Sequence, residues 1–330
     1  MVPAEVLAAY DLLPADGWQV DHVRTLHNTV FSLTRRATAE PSWALRLHRT
    51  GWRSADQVAA ELALLEFLDQ QLPTAVSVPR PARTATGDLV VEAAGRLYSL
   101  LVWIPGAPMR PDTGLDASAV RLLGRGLGAI HSALDGSPGA GTAPVQWDAD
   151  ALFTSTSPGL MGTDFAALDD VLDPTDRELF AQIADRTRMT FDHTDDWGLL
   201  HGDYILGNCH WPAGAGTRRL GILDFDDFGF GPRPYDLGAV LGNLLDFAES
   251  WPDNAAALVA GYRSAHELPD AAVAELPIMM AARHASMCLW LLGNASPDRG
   301  PDLDHIRLRM QLARAALDVD PATFTARQAR

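Results

Sequence analysis

The spacing of apolar residues divides the chain into strands first and helices later. Residues 4–13 carry helical spacing, which the PADG run at Pro14–Gly17 breaks before Trp18. Val20–Leu26 alternates weakly, while Thr29–Arg36 and Ser42–His48 alternate with period 2 and predict two further strands. In the last of these Trp43, Leu45 and Leu47 share one face, leaving Arg46 in mid-strand on the other with Ala44 and His48. Ser54–Gln70 reads as a helix capped by Ser54, with Val58, Leu62, Leu65 and Leu68 as its stripe and Glu61 beside it. VPRP at Val78–Pro81 ends this helical region. Asp88–Glu92 and Arg96–Ile104 predict a hairpin around Ala94 and Gly95, making about five strands.

Beyond residue 104 the period changes. Asp116–Leu134 predicts a helix with Leu122, Leu123, Leu127, Ile130 and Leu134 on one face, although Gly124, Gly126 and Gly128 weaken it. His131 near its end reads as a packing residue. DGSPGAGT at Asp135–Thr142 is a loop, and Pro174 after Asp173 opens a helix reaching about Phe191. Residues 237–248, 253–267, 277–293 and 303–318 all carry helical spacing. The pattern predicts an α+β chain of two lobes, a small antiparallel-sheet lobe over 1–104 and a larger, mainly helical lobe over 105–330.

Composition sharpens this outline. At 330 residues and 47% hydrophobic the chain can bury a sizeable core. Its net charge of -16 argues against nucleic acid and against anionic membrane surfaces as partners. Residues 1–104 hold 9 Arg against 11 acidic side chains, so nearly all the excess acid lies later, where it would attract a cationic acceptor. Every basic residue is Arg, which removes any lysine contact to phosphate. Cys209 and Cys288 supply neither a disulfide framework nor a metal pair. The N-terminus lacks the basic flank of a secretory signal, and the apolar run Ala272–Leu292 is interrupted by Glu275, Pro277, Arg283 and His284. A cytoplasmic protein with a buried helix there is the expectation.

Trp197–Leu237 crowds two His, five Asp and one Asn between short apolar runs, which is costly unless those groups face a charged ligand or one another. HGDYILGN carries Asp203 and Asn208, and GILDF delivers Asp224; one hairpin is expected to present all three. A carboxylate with a neutral amide oxygen suits Mg²⁺ that keeps its waters and holds substrate phosphates, and a carboxylate left off the metal can orient a hydroxyl. A dinuclear metallohydrolase using His193 and His210 is the rival reading, but the chain has no HxH or HExxH pair.

HGD-x4-N, then DFDD, GP and YDL in that order, resembles the catalytic core of the aminoglycoside phosphotransferase and choline kinase-like family, which shares the protein kinase fold. The resemblance implies that Asp203 is catalytic, that Asn208 and Asp224 hold Mg²⁺, and that His201 and Asp236 brace the loop; Asp226 and Asp227 are assigned no firm role. WALR resembles the strand that carries the phosphate-binding cation, with Arg46 in the lysine's position and Glu61 as its partner. Leu26–Thr29 has no glycine where a phosphate loop would stand, leaving only Asn28 and Thr29. Leu101–Pro105 falls at the hinge, so Leu101 and Trp103 would offer backbone groups to the purine of ATP or GTP. The implied activity is phosphoryl transfer to a hydroxyl of a small molecule, an antibiotic or an amino alcohol. A protein serine/threonine kinase and a non-catalytic nucleotide-binding module remain alternatives.

Overall fold

The computed structural model describes residues 2–12, 17–26, 28–38, 40–110, 115–137, 145–154, 161, 163, 165–211, 219–245, 251–295, 298 and 300–325. Most of the PADG break and of the 135–142 loop lies outside them. The fold is of the two-lobe kinase-like class, with an antiparallel-sheet lobe and a mainly helical one. Two compact units carry it. The first comprises 1–107 together with 210–226, and the second 108–136, 143–209 and 227–330.

In the first unit, helix α1 (Ala4–Ala9) precedes strands β1 (Trp18–Thr25), β2 (Thr29–Arg35) and β3 (Pro41–Leu47), then helix α2 (Ala55–Gln71). Short strands β4 (Val76–Ser77) and β5 (Pro81–Ala82) lead to β6 (Val91–Ala93) and β7 (Arg96–Val102). The sheet runs β1-β2-β3-β7-β5, with β6 on β7. Ala94 and Gly95 both take positive φ, 51° and 68°, the twist a tight two-residue hairpin requires. One face of the sheet buries Leu33, Leu45 and Leu100 against Val6 and Leu7 of α1, as the alternation in β3 demands. The other face is not a surface. Arg46 and His48 lie there at 6% and 4% exposure, so a solvated strand arginine is excluded. Ser54 caps α2 as expected, accepting from the Gln57 N–H while the Gln57 side chain accepts from the Ser54 N–H.

The second unit begins near the short strand β8 (Ala107–Pro108) and contains α3 (Ala117–Leu134), β9 (Val145–Gln146), α4 (Ala149–Phe153) and α5 (Pro174–His193). Strands β10 (Trp197–Leu200) and β13 (Gly229–Pro232) follow, while β12 (Leu220–Ile222) and all but the first residue of β11 (Cys209–Trp211) belong to the first unit. Helices α6 (Pro234–Leu245), α7 (Trp251–Arg263), α8 (Asp270–Ala274), α9 (Leu276–Gly293) and α10 (Leu303–Leu317) complete the second unit. The glycines that weakened α3 in sequence have a use: a Cβ at Gly124 would overlap the Leu258 carbonyl, and one at Gly261 the Arg121 carbonyl. Helices α3 and α7 therefore meet backbone to backbone. Helix α9 is long and apolar enough to span a membrane but packs against α5, α6 and α10.

The single hairpin expected over the Asp-rich stretch does not form. β10 pairs antiparallel with β13, in the register Leu200↔Gly229, and β13 also pairs parallel with β9. β12 instead joins β11 and the distant β4. In the FGFGP run the absence of side chains at Gly229 and Gly231 lets Trp147 pack close against β13. Asp203 and Asn208 belong to the second unit and Asp224 to the first.

Candidate active site

The loop after β10 is built from its backbone outward. Asp236, fully buried at the start of α6, accepts the His201 N–H on one carboxylate oxygen at 2.6 Å and the Gly202 N–H on the other at 2.9 Å. Gly202 sits at φ 85° with the Trp147 ring and the Asp227 carbonyl where a Cβ would stand, so no other residue fits. His201 takes the Asp203 N–H on Nδ1 at 3.2 Å, which leaves its proton on Nε2. Tyr204 donates to the Leu123 carbonyl at 2.9 Å, and Asn243 accepts from the Leu206 N–H at 3.0 Å. His201 and Asp236 thus both bond backbone N–H groups of the loop.

Two residues of this loop region were not legible in sequence. His131, read there as packing, is completely buried and bridges Tyr262 Oη at 2.8 Å to Asp236 at 3.1 Å. Burial pushes its pKa down despite Asp236, and Asp236 itself stays below the ordinary carboxylate value: burial opposes its charge, but His131 and His201 more than offset that. The second is Arg283 of α9, whose guanidinium bonds Asp203 Oδ1 directly. Asp203 Oδ2 meanwhile accepts from Asn208 Nδ2 at 2.8 Å, and the same amide nitrogen reaches the Asp203 carbonyl at 3.0 Å. A lone cation interrupting the apolar run 272–292 was the available signal, since a buried charge requires a partner.

In the first unit Arg46 Nη1 donates to Glu61 Oε1 at 2.6 Å, with the two side chains 8% and 4% exposed. Burial alone would weaken the Arg46 charge; the carboxylates of Glu61, Asp224 and Asp226 raise its pKa instead. The expected pairing is therefore present, on the side of the strand that faces Asp224. Asp224 adopts φ 67°, a left-handed conformation that Asp tolerates better than most residues, and Arg24 of β1 reaches its carboxylate at 3.4 Å. Arg24 was not singled out in sequence because weak alternation hid which face it occupies. Asn28, standing where a phosphate loop would have glycine, donates to Asp226 at 3.0 Å and accepts from the Arg49 N–H at 3.1 Å. Asp226 is a tie within the unit, not only a solvated acid. At the hinge, Leu101 lies inside β7 with a buried side chain, and the Trp103 N–H donates to the Ser42 carbonyl at 3.0 Å.

The donor chemistry fits a hard cation. In the second unit the Asn208 amide nitrogen donates to Asp203, so its oxygen is the atom left for a cation; in the first unit the Asp224 carboxylate is 28% exposed. An amide oxygen and a carboxylate leave most coordination positions to water and phosphate, the usual situation of Mg²⁺. Among the described residues no three of His, Cys, Asp and Glu gather as a metal cage. His193, named in the metallohydrolase reading, instead bonds the Met189 carbonyl.

Comparison with known proteins speaks to the family and the fold. The model of the phosphotransferase enzyme family matches residues 24–275. The chain belongs to this family. Within it, this phosphotransferase is 27% identical to a homoserine kinase of Phenylobacterium zucineum over 208 residues, 60% of this chain and 58% of that one. Its fold resembles that of a microcompartment-associated aminopropanol kinase, with a TM-score of 0.74 at 22% identity, covering 95% and 94% of the two chains. It also resembles an amicoumacin kinase solved with AMP-PNP, Ca²⁺ and its antibiotic, with a TM-score of 0.70 at 20% identity over 95% and 91%. At such identities these structures speak for the fold of the phosphotransferase alone, the protein kinase-like fold that HGD-x4-N and DFDD led us to expect.

Proposed function

We propose that this phosphotransferase moves the γ-phosphoryl group of ATP or GTP to a hydroxyl of a small molecule. The observation that carries the reading is the Asp203 loop, in which a carboxylate is fixed by His201, Asp236 and Asn208 while remaining a quarter exposed. Asp203 orients the acceptor hydroxyl and takes its proton as the bond to phosphorus forms and the bond to the leaving nucleoside diphosphate breaks. A carboxylate is a weak base, but a loose phosphoryl-transfer transition state asks mainly for positioning and charge neutralisation. Mg²⁺, held by Asn208 and Asp224, would supply neutralisation of the phosphate oxygens. Arg46, fixed by Glu61, adds a guanidinium to which phosphate oxygens can bind. The kinases named above act on an amino alcohol, an antibiotic and, from its name, an amino acid, which supports a small acceptor over a protein.

The test is nucleotide turnover with Mg²⁺ against a panel of aminoglycosides, amino alcohols and hydroxy amino acids. Asp203→Ala should lose roughly 10³-fold or more in turnover while still binding nucleotide. Full turnover by the variant would remove Asp203 from its role. Nucleotide binding with no acceptor in the panel would favour a protein acceptor or a non-catalytic module.

A further inference from the structure

Both oxygens of the Asp203 carboxylate are engaged by other side chains of the protein. Oδ2 accepts from Asn208 Nδ2 at 2.8 Å, and the Asn208 amide oxygen is the atom left for a cation. Oδ1 accepts from Arg283 of α9, a residue given no part in the reaction above. The bonds of His201 and Asp236 go instead to backbone N–H groups, so they fix the loop and not the plane of the carboxylate. The terminal torsion of an aspartate is broad, and a single donor leaves it free to turn. Donors on both oxygens hold it.

Arg283 is held in its turn. Its side chain is 12% exposed, and Met279, Met280, Ala282 and Ala285 of the same helix are buried. Burial alone would weaken its charge, but Asp203 and then Tyr235 raise its pKa, so the guanidinium stays charged. The Tyr235 hydroxyl is buried beside that guanidinium and completes no hydrogen bond among the described residues, while its ring packs on Trp147 at a centroid distance of 5.3 Å. A charge at this depth carries a desolvation penalty that a well-packed apolar side chain would avoid. What that charge reaches is a carboxylate still 25% open. A carboxylate oxygen has about two lone-pair sites, so one that accepts from arginine can also accept from a hydroxyl.

We infer that Arg283 is a positioning residue for phosphoryl transfer: it fixes the Asp203 carboxylate in the plane in which the acceptor hydroxyl donates to it, without itself touching acceptor or phosphate. This rests on the kinase reading of the same site. A carboxylate held in one plane turns the hydroxyl with its proton toward Asp203 and a lone pair toward phosphorus. Misplacing such a group slows the chemical step even where binding is intact.

The test measures nucleotide turnover by the full chain with Mg²⁺, using homoserine, 1-aminopropan-2-ol and kanamycin as acceptors, and water where none is added. Rates are expressed per nucleotide-binding site, so that unfolded protein does not count. Arg283→Gln should lower kcat by roughly 10–100-fold while nucleotide KM stays within about 2-fold. Arg283→Lys, which keeps a cation, should recover part of the loss, and carries the same comparison if the glutamine variant binds no nucleotide. The deciding measurement is made in Asp203→Asn. There the second substitution should cost less than about 2-fold more, because residues that act as a unit are not additive. A kcat unchanged in both Arg283 variants overturns the inference and leaves the kinase reading standing. The same fold-loss in the presence and absence of the Asp203 carboxylate also overturns it, and marks Arg283 as acting on the phosphates or on the fold. No turnover by the wild-type protein with any of these acceptors, water included, overturns both.

Discussion

Two arginine–carboxylate pairs, one in each unit, make an instructive contrast. Arg46 and Glu61 lie between a sheet face and a helix, with each side chain below a tenth exposed. Arg283 and Asp203 are joined as directly, yet Asp203 keeps 25% of its side chain open. The same chemical pair is almost wholly buried in one place and leaves a quarter of its carboxylate side chain open in the other. Burial decides between them: a sealed pair is bound by its own desolvation, because separating the partners would strand a charge. An open pair can share its partners with a ligand.

The contrast can be broken by substitution. Arg46→Met should destabilise the first unit most, by roughly 3–5 kcal/mol, because Glu61 is left charged in an apolar setting. The double variant Arg46→Met with Glu61→Leu should recover most of that in a thermal melt without recovering nucleotide affinity. If Arg46→Met melts no earlier than Arg283→Met, the sealed and open pairs do not differ as described.

A pH series sharpens the same point. His48 shares the buried face with Arg46, bonds Ser99 at 2.9 Å, and is pushed down to about 3 by burial and by the Arg46 charge. Its folded value lies below the ordinary one of about 6.5, so the unfolded chain binds the extra proton first. Stability from this group is complete above about pH 6.5 and drains away as pH falls toward the folded value. At pH 5 the wild-type protein should have lost about 2 kcal/mol more than His48→Gln, read by denaturant unfolding at the two pH values. The smallest effect belongs to Arg24→Ala. Its 3.4 Å pair with Asp224 is half exposed, so stability should shift by less than about 1 kcal/mol, with any change confined to nucleotide KM.

Much of this molecule was legible before its fold was known, for local reasons. Ser54 caps its helix through a residue three positions on, and Ala94–Gly95 turn a hairpin with their own backbone. Asp203 and Asn208 lie five residues apart, and their order relative to Asp224 and Asp236 carries the family pattern. What stayed hidden depends on partners far away in the chain. His131 reaches Asp236 across 105 positions and Arg283 reaches Asp203 across 80, and neither separation has a period that patterning could read. The misplaced hairpin has the same origin. β10 pairs with β13, whose glycines pack against Trp147 some eighty positions earlier in the chain, and not with the apolar run at Gly221–Phe225.

The backbone contact between α3 and α7 bears on how this family tolerates change. At Gly124 and Gly261 even a methyl group would meet a carbonyl of the opposite helix, so alanine there is as disruptive as a bulky residue. In a library of all single substitutions, these two positions should be nearly invariant among survivors, as sharply as Asp203. A ranking by tolerance alone would then place two residues of a helix crossing beside the one proposed to orient the acceptor. Only the readout separates them: substitutions at the helix crossing deplete folded protein, whereas substitutions at Asp203 leave folded protein that does not turn over.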